Sequence, residues 1–228
     1  MRVVIMGGTA GIGLATARAL LADGAEVTVT GRDPQRLAAA ESEGLTAERV
    51  DGTVEEEVTE FFKRTGAIEH LVLALSSGAV GLGPVKDVEL SAVRTAFDGK
   101  LFPYLHAVRQ AEVTGSITFV SAASARANTA GVAALAAVNG AIERMVSPLA
   151  TELAPVRVNA VSPGVIDTPW WSFLPEEHRA AQFGAIAETL PAKRVGRSEE
   201  VAGAIRYVIG ADYVTGTILP VDGGYTVA

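Results

Sequence analysis

The stretch Val3-Val4-Ile5-Met6-Gly7-Gly8-Thr9-Ala10-Gly11-Ile12-Gly13 decides the fold. Its first four residues are apolar without alternation, the pattern of a strand covered on both faces. From Gly11 onward the apolar residues take helical spacing through Ala22. Gly7 and Gly11 allow a tight turn and close backbone approach, and Gly13 lets the new helix pack on the strand. Amides at the helix start, aided by the helix dipole, then face an anion, with Thr9, Ala10 and Ile12 completing the cradle. An ordinary strand-to-helix turn is the plain alternative. The strand before and the helix after favour a dinucleotide pyrophosphate.

Outward from this corner, short apolar runs alternate with longer helical ones, as in a parallel sheet covered by helices. Strands are expected over Arg2–Met6, Glu26–Thr30, Thr46–Val50, His70–Leu75, Ser116–Val120, Val156–Val161 and Thr217–Val221. Helices are expected over Gly11–Ala22, Pro34–Ser42, Val54–Arg64, Leu90–Ala111, Gly131–Leu153 and Ser198–Ile209, with Pro34 and Ser198 as helix starts. The class is therefore α/β: a doubly wound, parallel seven-stranded sheet of the Rossmann type with helices on both faces. Residues 1–228 read as a single dinucleotide-binding domain. Residues 169–191 fit no strand–helix alternation and read as a lid-like excursion over the substrate pocket.

The second strand ends Val29-Thr30-Gly31-Arg32. A carboxylate near this point holds the ribose 2′-hydroxyl of NAD, whereas a nearby arginine suits a 2′-phosphate. Gly31 brings no carboxylate and Arg32 brings a charged fork, so NADP(H) is the favoured cofactor. The bland reading of Arg32 is a surface pair with Asp33 or Glu26. Asp51, followed by Gly52, is placed to accept from the adenine amine, or to cap the helix that follows.

The chain has a net charge of −7, which argues against nucleic acid or an anionic membrane as the main partner and leaves a small-molecule substrate. It has no cysteine, so disulfides, thiolate catalysis and cysteine-based zinc sites are excluded. His70, His106 and His178 lie far apart and form no metal motif, so they read as structural or surface residues and no metal is expected. Nothing reads as a signal peptide and no apolar run is long enough to span a bilayer, so a soluble, cytoplasmic location is expected.

Several stretches, in order and correctly spaced along the whole chain, resemble the short-chain dehydrogenase/reductase family. Met6-Gly7 through Gly13 is similar to its glycine loop, with Met6 in place of a threonine. Asn159-Ala160-Val161-Ser162-Pro163-Gly164, then Thr168, is similar to the stretch after its sixth strand. Gly196-Arg197-Ser198-Glu199-Glu200-Val201, Tyr213-Val214-Thr215-Gly216 and Val221-Asp222-Gly223-Gly224 match its closing segment. The resemblance implies that Pro163, Gly164, the backbone near Ile166 and Thr168 contact the nicotinamide half of the cofactor. Ser76 falls in the turn after the fourth strand, which reads Leu73-Ala74-Leu75-Ser76 in place of the family's Asn-Asn-Ala-Gly.

The catalytic positions depart from the family. Aligned through Ala137-Val138-Asn139-Gly140-Ala141, Leu135 stands where the tyrosine belongs and Asn139 where the lysine belongs. Ala122 takes the serine position, with Ser121 just before it, and Lys100 takes the asparagine position. Reducing a carbonyl by hydride leaves an alkoxide that needs a proton or an electrostatic partner. Leu135 can supply neither. The Asn and Lys positions look exchanged, which suggests that the Lys100 ammonium reaches the vacated site with Asn139 as its partner. The alternative places Lys100 on an exposed helix face. Ser121 and Ser124 are candidate donors to a substrate oxygen, or local backbone caps.

Trp170 and Trp171 open the excursion and, with Leu135, are expected to wall an apolar or aromatic pocket; equally, one tryptophan packs the excursion onto the core. Glu55-Glu56-Glu57 reads as the solvated first turn of a helix. The helix Gly131–Leu153 is apolar around most of its circumference, and the resemblance implies a homodimer or homotetramer built on it; burial within one chain, under the lid and the neighbouring helix, is the alternative. The functional expectation is an NADP(H)-dependent oxidoreductase with a reorganised site. Its rivals are a catalytically silent dinucleotide-binding regulator or scaffold and a non-redox enzyme on the same frame.

Overall fold

The computed structural model describes residues 1–227. The chain runs β1 (Arg2–Met6), α1 (Gly11–Ala22), β2 (Glu26–Gly31), α2 (Pro34–Ser42), β3 (Thr46–Arg49), α3 (Glu55–Thr65), β4 (Ile68–Leu73), α4 (Leu90–Asp98), α5 (Leu101–Gln110) and β5 (Val113–Val120). It continues through α6 (Ala133–Glu152), β6 (Arg157–Pro163), β7 (Ile166–Asp167), α7 (Glu176–Thr189), β8 (Gly196–Arg197), α8 (Ser198–Gly210) and β9 (Ile218–Val221). Seven strands form one parallel sheet in the order β3-β2-β1-β4-β5-β6-β9, and β7 and β8 form a separate parallel pair. The winding reverses between β1 and β4, which opens a crevice above the carboxyl ends of those strands.

β1 shows why both faces are covered. Val3 and Ile5 join a core with α1, α2 and α8, while Val4 and Met6 join the opposite core with α3, α5 and α6. Side chains alternate across a strand, so an uninterrupted apolar run serves two cores at once. Each fully buried aliphatic chain contributes about 1.5–3 kcal/mol. Helix ends follow local chemistry. Asp33 caps α2 by accepting from the Gln35 and Arg36 amides at 2.9 and 3.1 Å, ahead of Pro34 at the first turn. α3 opens on Glu55-Glu56-Glu57 and closes on Lys63-Arg64, each sign at the dipole end that favours it. The two outer strands are short: β3 carries Glu48, paired with Arg64 at 2.9 Å, and β9 contains an exposed proline, Pro220.

Three expectations are corrected. The apolar period over 90–111 is not one helix: α4 ends at Asp98 and α5 begins at Leu101, with Gly99 and Lys100 between them. A Cβ on Gly99 would lie 2.7 Å from the Ser77 Cβ, so the break is set by a tertiary contact that periodicity cannot register. Residues 169–191 are not irregular, since a 3₁₀ turn over Pro169–Phe173 leads into the fourteen-residue α7. The fourth strand ends at Leu73, two residues early, which frees Leu75 and Ser76 to line the crevice.

Candidate active site

The crevice has a volume of ≈ 2010 Å³ and runs from the glycine loop to α7. At one end, Gly7 (φ +80°) and Gly11 (φ +50°) occupy the left-handed region. The amides of Gly7 and Gly8 both donate to the Thr30 carbonyl at 3.2 Å. A Cβ on Gly13 would stand 2.2 Å from the Gly7 carbonyl oxygen, and one on Gly31 would stand 2.5 Å from Thr9 Oγ1. There is therefore no room for a side chain at Gly13 or Gly31, while the crevice face of the loop stays open. Ala10 caps α1 with no side-chain hydrogen bond, so the first amides of α1 keep donors for a ligand. A cradle of free amides at a positive helix end fits a diphosphate. Thr9, Ala10, Gly11, Ile12 and Gly13 all line it.

Beyond the loop, Arg32 Nη1 lies 3.5 Å from Asp51 Oδ2, so the arginine pairs with neither Asp33 nor Glu26. Arg36, absent from the sequence reading, lines the same corner one helical turn on. Asp51 does not cap α3. Its Oδ1 accepts from the Thr53 amide and hydroxyl at 3.0 and 2.7 Å, closing a turn ahead of the helix. Burial pushes its carboxyl up, but the Thr53 hydrogen bonds and Arg32 outweigh that and hold it below the ordinary range. Gly52 packs where a Cβ would lie 2.8 Å from Leu75 Cδ1. Ser76 is exposed and accepts from the Gly78 amide at 3.1 Å.

At the centre, the break between α4 and α5 turns Lys100 inward. It is the residue before α5, with φ −139° and ψ −59°, and only 9% of it is exposed. Its Nζ donates to Asn139 Oδ1 at 2.7 Å and to the Ser121 carbonyl at 3.2 Å. Asn139 is itself fixed, donating from Nδ2 to the Leu135 carbonyl at 2.9 Å and to Ser124 Oγ at 3.2 Å. Burial pulls Lys100 down from the usual lysine range to about 7, opposed by the charge of Glu143. Lys100 and Asn139 are thus in direct contact at the crevice, and the exposed-face alternative for Lys100 does not hold. Leu135 and Ala122 line the crevice with aliphatic surface.

The Ser121 hydroxyl is taken up by buried partners. It donates to Glu143 Oε1 at 2.8 Å, which leaves the Ser121 carbonyl as the group presented to Lys100. Tyr104 and Glu143 went unnoticed in the sequence. Tyr104 donates to the Val120 and Leu75 carbonyls at 2.9 and 3.3 Å, fastening the ends of β4 and β5. Glu143 had a legible signal: it follows Asn139 by four residues, on the same face of a helix that is apolar around most of its circumference.

The far wall is aromatic. Trp170, Trp171 and Phe173 form a cluster with ring centroids 4.8–5.9 Å apart, and Phe183 of α7 meets Trp171 edge-on at 5.4 Å. Trp171 Nε1 donates to the Ile166 carbonyl at 3.0 Å, tying the segment to the strand end below it. Thr168 Oγ1 accepts from the Trp170 amide at 3.4 Å, and the Thr168 Cβ lies 3.4 Å from the Cβ position of Gly11. Pro163 is buried, and the Gly164 amide donates to the Val221 carbonyl at 3.0 Å. His178 of α7 lines the crevice, whereas His70 bonds Ser116 and His106 lies beside Glu55. Among the described residues, no cluster suited to a metal ion occurs and no helix is long and apolar enough to cross a membrane.

Residues 7–226 match the family described as Enoyl-(Acyl carrier protein) reductase. The 3-oxoacyl-[acyl-carrier-protein] reductase MabA of Mycobacterium tuberculosis is 33% identical over 233 residues, covering 97% of this chain and 91% of that protein. The cyclic-di-GMP-binding biofilm dispersal mediator protein of Escherichia coli is 30% identical over 236 residues, covering 98% and 96%. Among solved structures, a small-chain dehydrogenase in complex with NADPH superposes with a TM-score of 0.87 at 32% identity, covering 100% of this chain and 99% of that one. Matches spanning the glycine loop, the crevice and the closing strand leave one conclusion: the chain belongs to the short-chain dehydrogenase/reductase family.

Proposed function

We propose that this protein is an NADP(H)-dependent oxidoreductase that interconverts an apolar carbonyl compound and its alcohol, with Lys100 in the place of the family's tyrosine–lysine pair. The observation that carries this reading is the Lys100 ammonium, buried at the crevice and held by Asn139 Oδ1 and the Ser121 carbonyl. The free amides at the start of α1 would hold the diphosphate, with Arg32 and Arg36 facing a 2′-phosphate and Asp51 and Gly52 beside the adenine. Pro163, Gly164, Ile166 and Thr168 would bound the nicotinamide end. A nicotinamide bound there supplies or accepts hydride.

The chain supplies everything else. A lysine titrating at about 7 is a usable acid near neutral pH. While charged it also stabilises the oxygen anion that reduction creates, in surroundings dry enough for that attraction to count. Two fixed acceptors, Asn139 Oδ1 and the Ser121 carbonyl, hold Lys100 Nζ in place. Leu135 and the Trp170–Trp171–Phe173 cluster keep water from the far wall, favour an apolar substrate, and make 169–191 a lid over it. Two relatives, a 3-oxoacyl-[acyl-carrier-protein] reductase and a dehydrogenase in complex with NADPH, support the reaction class.

The test is NADPH consumption with a panel of apolar ketones and aldehydes, alongside calorimetric titration with NADPH and NADH. Turnover that falls as pH rises through about 7, and that drops ~10²-fold or more in Lys100→Met, is the expected result. Tight NADPH binding without turnover on any carbonyl would replace this reading with a dinucleotide-binding regulator. Product formed at constant NADPH absorbance would indicate a non-redox enzyme. No affinity for either cofactor would end the proposal.

A further inference from the structure

Beside the Lys100 contact lies a second buried charged group. Glu143 is 7% exposed, and its Oε1 accepts from Ser121 Oγ at 2.8 Å and from Ser162 Oγ at 2.7 Å. Its Oε2 stands 3.2 Å from Nε of Arg126, whose side chain is 39% exposed. Ser121 directly follows β5 and Ser162 is the next-to-last residue of β6, so one carboxylate ties together two neighbouring strand ends at the crevice floor. Burying a carboxylate costs several kcal/mol unless its oxygens are fully engaged. Here two hydroxyls and a guanidinium engage them, and the guanidinium connects the cluster to solvent.

We propose that Glu143 is a positioning residue that keeps Lys100 charged: it holds the Ser121 backbone so that its carbonyl receives Lys100 Nζ, and it sets a negative charge in the same enclosure. The catalytic consequence rests on the role proposed above for Lys100, but the placement and its test do not. An enclosed ammonium whose only acceptors are an amide and a peptide carbonyl loses its proton readily, and a nearby opposite charge resists that loss. Burial lowers Lys100 and the charge of Glu143 raises it, in that order of size. The other groups facing this cluster are few. Arg126 comes from the turn after β5, and Asp222, in the loop after β9, lies within its field. Tyr104, from α5, is pushed by burial well above the usual phenol range and stays neutral throughout. Ser121, Ser124, Ser162 and Asn139 do not titrate.

The chain has four lysines, Lys63, Lys86, Lys100 and Lys193, so lysine side-chain NMR of the ligand-free protein resolves Lys100 directly, with Lys100→Met assigning its signal. The expected midpoint is about 7 in the wild type. Glu143→Gln should lower it by ~1 unit, a tenfold loss of the charged form at any pH above it. Arg126→Met removes the positive neighbour of Glu143 and should move the midpoint the other way. Opposite shifts support the proposal, because loss of packing alone gives no such sign pair. An unchanged midpoint in both variants, or a fall in both, overturns it. Should Glu143→Gln fail to fold, Arg126→Met decides alone: a rise supports the proposal and no rise overturns it. NADPH is absent from this measurement, so a chain that never turns over would leave the result standing.

Discussion

Lys100→Met should change how folding stability depends on pH. Burial draws the Lys100 ammonium down to about 7, whereas in the unfolded chain it titrates at the ordinary 10.5. Between those values the unfolded chain holds a proton that the folded chain has released, so folding stability rises with pH by about 1.4 kcal/mol per unit. It falls as pH drops through the same window, and below about 7 both states hold the proton and the penalty is constant. Methionine has no proton to exchange. The stability of the wild type relative to Lys100→Met should therefore climb by about 5 kcal/mol between pH 7 and 10.5. At high pH the wild type should be the more stable, since the variant leaves Asn139 Oδ1 and the Ser121 carbonyl unpaired, at roughly 1–3 kcal/mol each. Urea unfolding followed by the fluorescence of Trp170 and Trp171 reads both curves. Subtracting them cancels every other group that titrates in that range. Parallel curves would refute the reasoning, because they would mean that Lys100 carries the same proton folded and unfolded.

Gly13→Ala sets a Cβ 2.2 Å from the Gly7 carbonyl oxygen, so NADPH affinity should fall by ~10²-fold or more, and unaltered calorimetric binding would show the loop to be less constrained than its geometry. Trp171→Phe removes the hydrogen bond to the Ile166 carbonyl, worth about 1 kcal/mol, and should speed proteolytic nicking within 169–191 while leaving NADPH affinity alone; an unchanged cleavage rate would count against that tether. Arg157→Met strands the Val208, Ile209 and Val214 carbonyls that Arg157 now satisfies, and should cost roughly 2–4 kcal/mol in denaturant unfolding without altering cofactor affinity.

The parts of the molecule written in local chemistry were readable from the chain alone. The glycine corner, the uninterrupted apolar strands and the proline- or acid-led helix starts each depend on residues within one or two turns of each other. What escaped was decided across distance. Gly99 is an unremarkable small residue in a helical run until Ser77 is brought against it from the loop after β4. α7 has acids at its start and only two large apolar residues, Phe183 and Ile186, so no amphipathic stripe announced it. Ser121 was legible as a polar group near the site, but the direction of its hydroxyl depended on Glu143, a partner 22 residues away. The pairing of Lys100 with Asn139 was reached only by comparing the chain with a family pattern, since no rule of spacing links residues 39 apart.

The sheet ends itself on both sides. At one margin, four residues bearing Glu48 and Arg49 offer a charged, abbreviated rim; at the other, Pro220 withholds an amide from any incoming strand. Neither rim is suited to templating a foreign β-strand, so a chain with such an apolar interior is guarded against the edge-to-edge growth that leads to fibrils. Any self-association then falls to helical faces, whose side-chain shapes can be selective in a way that a row of peptide groups cannot.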